Sequence, residues 1–452
     1  MRHRATTTHL FSLIALASFA PAQDWDYAAA AAYHEQLGGH ALMITIDGKV
    51  VFERYSNGYS SSQGHVLHSC TKSITSVLCA FAVQDKLIAS YDEKVSDTIT
   101  EWQVDARRKV ITYRQLLGLV SGIAGGENGQ PPTYKDSIKQ VMFADPGTAF
   151  SYGPYPFQIF GEALRRKLVP SKRSVADYLT AKILVPLNMT PSAWINFATG
   201  EPNLPSGAQF TASEWIKFGE FVRLGGMWNN QRLLSQSLLD ELFQNNISNK
   251  PDYGVSWWLT LPDGVAPDDT VAARGAQSQR LWVIRSERMV ILRFADSPVW
   301  TFDHGDDGFF AALMPAAVAK IGDGCKGAGG VPSLVAVTPP KIGTTFEWRI
   351  GNLPATPTLG ITYVGLSNTS WGTVALPLDL SFLGAPGCRL FVSTDFALPW
   401  AGASSVTQRL PVPNSNTLSV HRFYMQSAVV DGTANTLAMT LSDAGVVRVG
   451  VR

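Results

Sequence analysis

The sequence of 452 residues has almost no net charge, because 37 Lys and Arg side chains nearly balance 36 Asp and Glu side chains. Net charge alone therefore does not attract nucleic acid or an anionic membrane, and we expect neither as a partner. Charged residues are only 16% of the chain and hydrophobic residues 45%, which excludes a mainly disordered protein. The length predicts two or three domains, and we expect a small-molecule ligand.

Long hydrophobic runs are also missing. The apolar run at residues 10–20 is about half of the roughly 20 residues that a transmembrane helix needs, and no later run is long enough to span a membrane. Basic residues without an acid precede this run, and Ala20-Pro21-Ala22 follows it. This order predicts a secretory signal peptide over residues 1–22, so we expect an exported protein in the periplasm, at the cell surface or outside the cell.

Cysteine is scarce, with four in the chain. Cys70 and Cys79 fall on one predicted helix, about 13 Å apart along its axis, which is too far for a disulfide. Cys325 and Cys388 both fall in the loop-rich C-terminal part. Because exported proteins retain disulfides, we predict one between Cys325 and Cys388.

Charged residues become rare after residue 325, where the last 127 positions hold 13 of the 73 in the chain. Short runs of Val, Leu and Thr at residues 344–350, 389–394 and 446–451 are separated by Pro, Gly and Asn. This pattern predicts a C-terminal β-sandwich, assigned to residues 332–452.

The segment before that part is rich in glycine and contains the pattern G-x-G-x-x-G. A dinucleotide-binding loop would need a helix after it, whereas Val331-Pro332 follows here. We therefore interpret residues 322–331 as a linker, with a first domain over residues 23–321.

In the first domain, the predicted order is a helix, two strands, a long and mostly helical insertion, further strands and a helix. An Asp-Gly pair joins the first two predicted strands and indicates a hairpin. The predicted elements are helices at residues 27–36, 71–83 and 308–320, and strand pairs at residues 41–46 with 49–55 and 279–284 with 289–294.

Ser69-Cys70-Thr71-Lys72 is an S-x-x-K tetrapeptide at the start of the predicted helix 71–83. Its Ser and Lys lie three residues apart, so they share one helix face. A buried lysine can lose its charge and accept the proton of the hydroxyl, which makes the serine a nucleophile. The pattern alone is weak, because serine is also a common helix cap.

Further segments raise the significance of this tetrapeptide. Three segments occur in a fixed order: His68-Ser69-Cys70-Thr71-Lys72, then residues 111–123 with Leu116-Leu117-Gly118, then residues 146–152 ending in Tyr152. Together they resemble the serine β-lactamase-related superfamily, which includes class C β-lactamases, D-alanyl-D-alanine carboxypeptidases and related esterases and amidases. The resemblance covers residues 38–320. It implies an α+β fold, with a β-lactamase/transpeptidase-like antiparallel sheet flanked by helices and a helical subdomain.

The resemblance implies that Tyr152 points at the nucleophile and shares protons with Lys72. The sequence departs from the family's Y-x-N motif, since Tyr152-Gly153-Pro154 stands in its place. Proline has neither a side-chain amide nor an N–H group, so a donor for a substrate carbonyl is missing at this position.

The family's third motif, K-T-G or H-x-G, corresponds to Ala273-Arg274-Gly275, which lacks the Lys or His. Gly275 lets substrate lie close to the strand, and the N–H groups of Ala276 and Ser69 would form an oxyanion hole. Arg274 would either bind a substrate carboxylate or point at solvent, because strand alternation allows both.

These features predict a secreted serine hydrolase that cleaves an ester, amide or peptide substrate through an acyl-enzyme on Ser69, without a metal or organic cofactor. Two motif departures favour a substrate other than a β-lactam. The alternatives are a β-lactamase or D-alanyl-D-alanine carboxypeptidase acting on cell-wall-like substrates, and a catalytically degenerate binding or scaffold protein. The C-terminal part resembles modules of exported bacterial proteins, which implies adhesion, sorting, stability or cell-surface association.

Overall fold

The computed structural model describes residues 25–245, 250–259, 266–267, 269–297, 306–314, 317–414 and 422–450. The predicted signal peptide, residues 1–22, lies outside these ranges. Within them, no helix combines the length and the apolar character needed to cross a membrane.

Within the described residues, the α-helices all lie between residues 27 and 313. Several begin at a side chain that accepts a backbone N–H, such as Asp26 before the first helix and Thr112 before the third. The helices are α1 (Tyr27–Gln36), α2 (Thr71–Gln84), α3 (Tyr113–Leu117), α4 (Tyr134–Ser137), α5 (Tyr155–Leu168), α6 (Val175–Leu179), α7 (Ala212–Arg223), α8 (Gln236–Asp240) and α9 (Asp306–Leu313).

The strands of the same part form one large antiparallel sheet and shorter pairs. The strands are β1 (Gly39–Ile46), β2 (Lys49–Tyr55), β3 (His65–Val66), β4 (Ala193–Trp194), β5 (Ala208–Phe210), β6 (Met227–Trp228), β7 (Gln231–Arg232), β8 (Trp258–Leu259), β9 (Thr270–Gly275), β10 (Gln279–Ile284) and β11 (Met289–Ala295). The large sheet has the order β2-β1-β11-β10-β9-β8. Both predicted hairpins are present in it, the first through Asp47-Gly48 with positive φ at both residues.

Helices cover both faces of this sheet. Leu281 and Trp282 are neighbours on β10, so their side chains lie on opposite faces. Trp282 stacks on Phe309 of α9 with ring centroids 5.2 Å apart, whereas a Cβ built on Gly219 of α7 would lie 3.1 Å from the Leu281 side chain. The resulting α+β arrangement agrees with the prediction for this part.

The C-terminal part contains strands and no α-helix among its described residues. Its strands are β12 (Ala317–Gly322), β13 (Ser333–Ala336), β14 (Thr345–Gly351), β15 (Thr358–Gly365), β16 (Ser370–Trp371), β17 (Val374–Ala375), β18 (Leu378–Asp379), β19 (Arg389–Leu390), β20 (Phe396–Gly402), β21 (Val406–Pro411), β22 (Arg422–Val430) and β23 (Met439–Arg448). Two sheets, β12-β23-β22-β15-β20 and β13-β14-β21, bury one shared core. Met425 enters this core from the first sheet and Trp348 from the second. This is a sandwich.

The disulfide of this part joins Cys325 to Cys388 with an S–S distance of 2.06 Å. Both residues belong to a second, smaller C-terminal core with Leu380 and Val392. Cys70 and Cys79 are free and buried in the first core.

The end of the first domain differs from the sequence-based interpretation. The predicted helix 308–320 ends at Leu313, and Ala317–Gly322 is a strand paired with β23. Backbone pairing with a long partner strand outweighs the weak helix preference of so short a segment. The predicted linker 322–331 also packs into the C-terminal part, since Cys325 N–H bonds to the carbonyl of Leu441 at 3.0 Å. We propose that the two domains meet between Met314 and Ala317.

The N-terminal core is separate from the two C-terminal cores, which predicts two separable unfolding events. Trp348 is fully buried in the sandwich, so Trp348→Ala should destabilise the C-terminal domain by about 3–5 kcal/mol and leave the N-terminal domain unchanged. Differential scanning calorimetry should show one of two transitions moving to lower temperature. A single transition that shifts as a whole would contradict the two-domain division.

Candidate active site

Ser69, the predicted nucleophile, lies in a short 3-10 turn, His68–Cys70, that continues into α2. We call this turn the nucleophile turn. The Thr71 hydroxyl closes the turn by donating to the carbonyl of His68 at 2.7 Å and accepts the N–H of Ala208 at 3.3 Å. Every residue of α2 from Thr71 to Val83 is buried. The serine therefore stands at the start of a helix that the core holds in place.

Lys72 lies one helical turn after the serine and is only 3% exposed. Its ammonium donates to Ser69 Oγ at 2.9 Å and to the carbonyl of Pro205 at 3.2 Å. The rings of Tyr152 and Phe157 lie 5.1 and 5.2 Å from Nζ, and Lys72 has no ion pair within the described residues. Burial without a counter-charge lowers the pKa of Lys72 to about 7.

Tyr152 also reaches the nucleophile, because its hydroxyl shares a hydrogen bond with Ser69. Its ring packs against Tyr253 and Trp258, with centroid distances of 6.4 and 5.9 Å. Burial raises the pKa of Tyr152, so the phenol keeps its proton at neutral pH. The structure thus brings Ser69, Lys72 and Tyr152 together.

Backbone contacts on either side of Tyr152 hold this segment, which resembles the family's second motif region, in place. Ser151 donates its N–H to the carbonyl of Leu119 at 2.9 Å, and its hydroxyl accepts the N–H of Gly125 at 2.9 Å. A Cβ on Gly153 would lie 2.1 Å from the Gly125 carbonyl oxygen. This close approach of two backbones requires glycine beside Tyr152.

A cavity of about 630 Å³ is lined in part by Ser69. It is lined by Val66, His68, Ser69, Lys72, Asn128, Gly129, Pro154, Ile195, Asn203, Ser206, Gly275 and Ala276. Gly275 lies at the end of β9 against the nucleophile turn, since a Cβ there would be 2.3 Å from the Leu67 carbonyl oxygen and 3.3 Å from the Cys70 nitrogen. The motif departure at Pro154 is likewise part of the cavity wall.

Arg274, in contrast, is not among the described residues that line the cavity. Its guanidinium lies 5.2 Å from the centre of the Trp258 ring, and its Nε lies 3.7 Å from an Asp306 carboxylate oxygen. The side chain is 15% exposed. The side chain is therefore not directed at open solvent, and binding of a substrate carboxylate by Arg274 stays a prediction.

Two features of the cavity wall were missed from sequence. His68 Nε2 bonds to Gln277 Oε1 at 2.9 Å, and Gln277 Nε2 donates to Asp296 at 2.7 Å, which ties the nucleophile turn to the loop after β9. Asn203 enters the wall from a turn between β4 and β5. No sequence signal marks these residues, because their partners lie far along the chain.

A model of the beta-lactamase family matches residues 26–314. The chain belongs to the beta-lactamase family. The match covers the α+β part with the cavity and ends at the last residue described before β12. No curated protein sequence matches this family member.

Solved structures of other family members share the fold at low sequence identity. A putative beta-lactamase from Bacteroides dorei DSM 17855 has 18% identity and a TM-score of 0.52, covering 61% of this chain and 92% of that one. A putative 6-aminohexanoate-dimer hydrolase from Bacillus anthracis has 17% identity and a TM-score of 0.53, covering 63% and 79%. A family VIII carboxylesterase has 16% identity and a TM-score of 0.51, covering 63% and 95%.

The contact of Gly275 predicts a steric test of the site. In Gly275→Val the added carbons would meet the Leu67 carbonyl and push the end of β9 from the nucleophile turn. If the N–H of Ala276 is an oxyanion donor, as the sequence predicts, kcat for an aryl ester should fall about 100- to 1,000-fold. Gly432→Val is the matched control, because nothing lies within 4 Å of a Cβ there. Equal activity in both variants would refute the importance of this contact.

Proposed function

We propose that this beta-lactamase family member is a serine hydrolase that cleaves an ester or amide through an acyl-enzyme on Ser69. The observation that carries the proposal is the 2.9 Å contact between a buried Lys72 ammonium and Ser69 Oγ. A lysine with a pKa of about 7 is largely neutral at slightly alkaline pH, so it can accept the serine proton.

The proposed reaction has two halves. Ser69 Oγ attacks the substrate carbonyl carbon while Lys72 takes the Oγ proton, and the tetrahedral intermediate then expels the leaving group. Lys72 returns the proton to the leaving oxygen or nitrogen, either directly or through the hydroxyl of Tyr152. Departure of the leaving group produces an acyl-serine ester. In the second half, the same groups take a proton from a water molecule as it attacks the ester. The acid is released and the proton returns to Ser69 Oγ.

The oxyanion would be held by the N–H groups of Ser69 and Ala276. Both residues line the cavity, and the approach of Gly275 to the nucleophile turn supports their proximity. Such donors act most strongly where the protein holds them in position before the charge develops.

For substrate, we propose an ester or amide other than a β-lactam. Pro154 and Ala273 stand where the family motifs carry Asn and Lys or His; Pro154 lines the cavity, and Ala273 is fully buried. Neither side chain can donate a hydrogen bond. The names of a carboxylesterase and a dimer hydrolase among proteins of the same fold are consistent with such substrates.

We also propose that the protein is exported. The predicted signal peptide and the disulfide of the C-terminal domain support this, because disulfides persist in oxidising compartments. Cell-surface association through the sandwich is part of the same proposal.

Acylation of Ser69 is the direct test. A fluorophosphonate probe should label the wild type, with peptide mapping placing the label on Ser69, and Ser69→Ala should lose both labelling and turnover of short-chain aryl esters. Ser73→Ala is the control on the same helix, because its hydroxyl bonds to the carbonyl of Ser256 and should leave labelling intact. An unlabelled wild type would instead support a catalytically degenerate scaffold. Efficient turnover of a chromogenic cephalosporin would overturn the substrate ranking.

The pKa of Lys72 predicts the pH profile. Because the neutral amine is the active form, kcat/KM should fall about tenfold per pH unit below about pH 7 and reach a plateau above it. Initial rates with an aryl ester between pH 5 and 9 would measure the profile. Lys72→Arg, which does not deprotonate in this range, should reduce activity throughout and remove this inflection. An unchanged inflection in that variant would assign the titration to another group.

A further inference from the structure

Asn203 lines the cavity, and we propose that its side-chain amide donates to a second carbonyl oxygen in the acyl part of the substrate. The preferred substrates would then be esters or amides whose acyl chain carries such an acceptor. This inference rests on the proposed acyl-enzyme chemistry of Ser69.

The side chain of Asn203 is nearly buried, with 7% exposed, and lines the same cavity as Ser69. Its Oδ1 accepts two hydrogen bonds, from the N–H and the hydroxyl of Ser206, both at 3.2 Å. The amide Nδ2 donates to no acceptor among the described residues.

The orientation of this amide is set by chemistry. A backbone N–H can only donate, so the Asn203 atom facing the Ser206 nitrogen must be the oxygen. The NH₂ group is therefore turned away from Ser206, with both protons available. Asn203 Nδ2 is not among the fully buried atoms without a partner, so water or a ligand in the cavity can accept its hydrogen bonds.

The turn that carries Asn203 is fixed beside the proposed catalytic groups. The carbonyl of Pro205, two residues on, accepts from Lys72 Nζ at 3.2 Å, and two residues of chain span at most about 7 Å. The carbonyl of Leu204 accepts from Thr75 at 2.8 Å, and that of Asn203 accepts the Gly207 N–H at 2.9 Å. The donor is thus rigid and near the reacting serine.

The cavity wall contains one other asparagine, Asn128. Its side chain is exposed, so water competes for its amide and a hydrogen bond there adds little discrimination. This contrast makes Asn128 the matched control for Asn203.

The experiment compares two aryl esters that differ by one carbonyl oxygen, p-nitrophenyl 4-oxopentanoate and p-nitrophenyl pentanoate. The measured quantity is the ratio of their kcat/KM values, corrected for uncatalysed hydrolysis. A ratio within each variant cancels any general effect on Ser69 or Lys72. We expect Asn203→Ala to lower the ratio about 2- to 10-fold, the usual range for one neutral hydrogen bond, and Asn128→Ala to keep the wild-type ratio.

A second variant separates binding from folding. Asn203→Asp keeps an oxygen for the two Ser206 donors and removes the NH₂ group, so it should also lose the preference even if Asn203→Ala does not fold. A wild-type ratio in Asn203→Asp, or a loss confined to Asn128→Ala, would overturn the inference. Absence of wild-type turnover and of fluorophosphonate labelling would instead overturn the proposed function, which distinguishes the two failures.

Discussion

The burial of Lys72 is the constraint on which the rest of the site depends. An ammonium without a counter-ion prefers water, and the fold removes it from water. Its pKa is lower in the folded chain than in the unfolded one, so the unfolded chain holds more protons between about pH 7 and the ordinary lysine value. The free energy of unfolding therefore rises with pH through that window, and near neutral pH the reactive lysine costs stability that packing elsewhere must offset.

The surroundings of the Lys72 ammonium come from segments that are distant in sequence and meet at the start of α2. Phe157 of α5 and Tyr152 before it place rings beside the ammonium, and Pro205 supplies a carbonyl. Two close backbone approaches around the site depend on glycine, that of Gly153 to Gly125 and that of Gly275 to Leu67. The amine is thus surrounded by aromatic rings and neutral oxygens. Burial lowers its pKa, whereas a carboxylate in the same place would have raised it.

Short-range features of this site could be predicted from sequence, and long-range ones could not. The spacing of Ser69 and Lys72 is a property of one helix turn, and the hairpin at Asp47-Gly48 is a property of its turn residues. Arg274 lies beside Asp306, which is 32 positions further along the chain. Asn203 lines the cavity because the turn between β4 and β5 places it there. Likewise Ala317–Gly322 is a strand because β23 pairs with it, and no local pattern shows that partner.

The same long-range contacts connect the site to the joint between the domains. Arg280 donates to the Gly275 carbonyl at 3.1 Å and to the Asp306 carboxylate at 2.8 Å. Asp306 begins α9, and the chain that follows α9 enters the C-terminal sheet as β12. Because Gly275 must stay against the nucleophile turn, the position of α9 restrains the cavity wall through two hydrogen bonds. The helix that supports the end of β9 is therefore followed directly in sequence by the first strand of the C-terminal sheets.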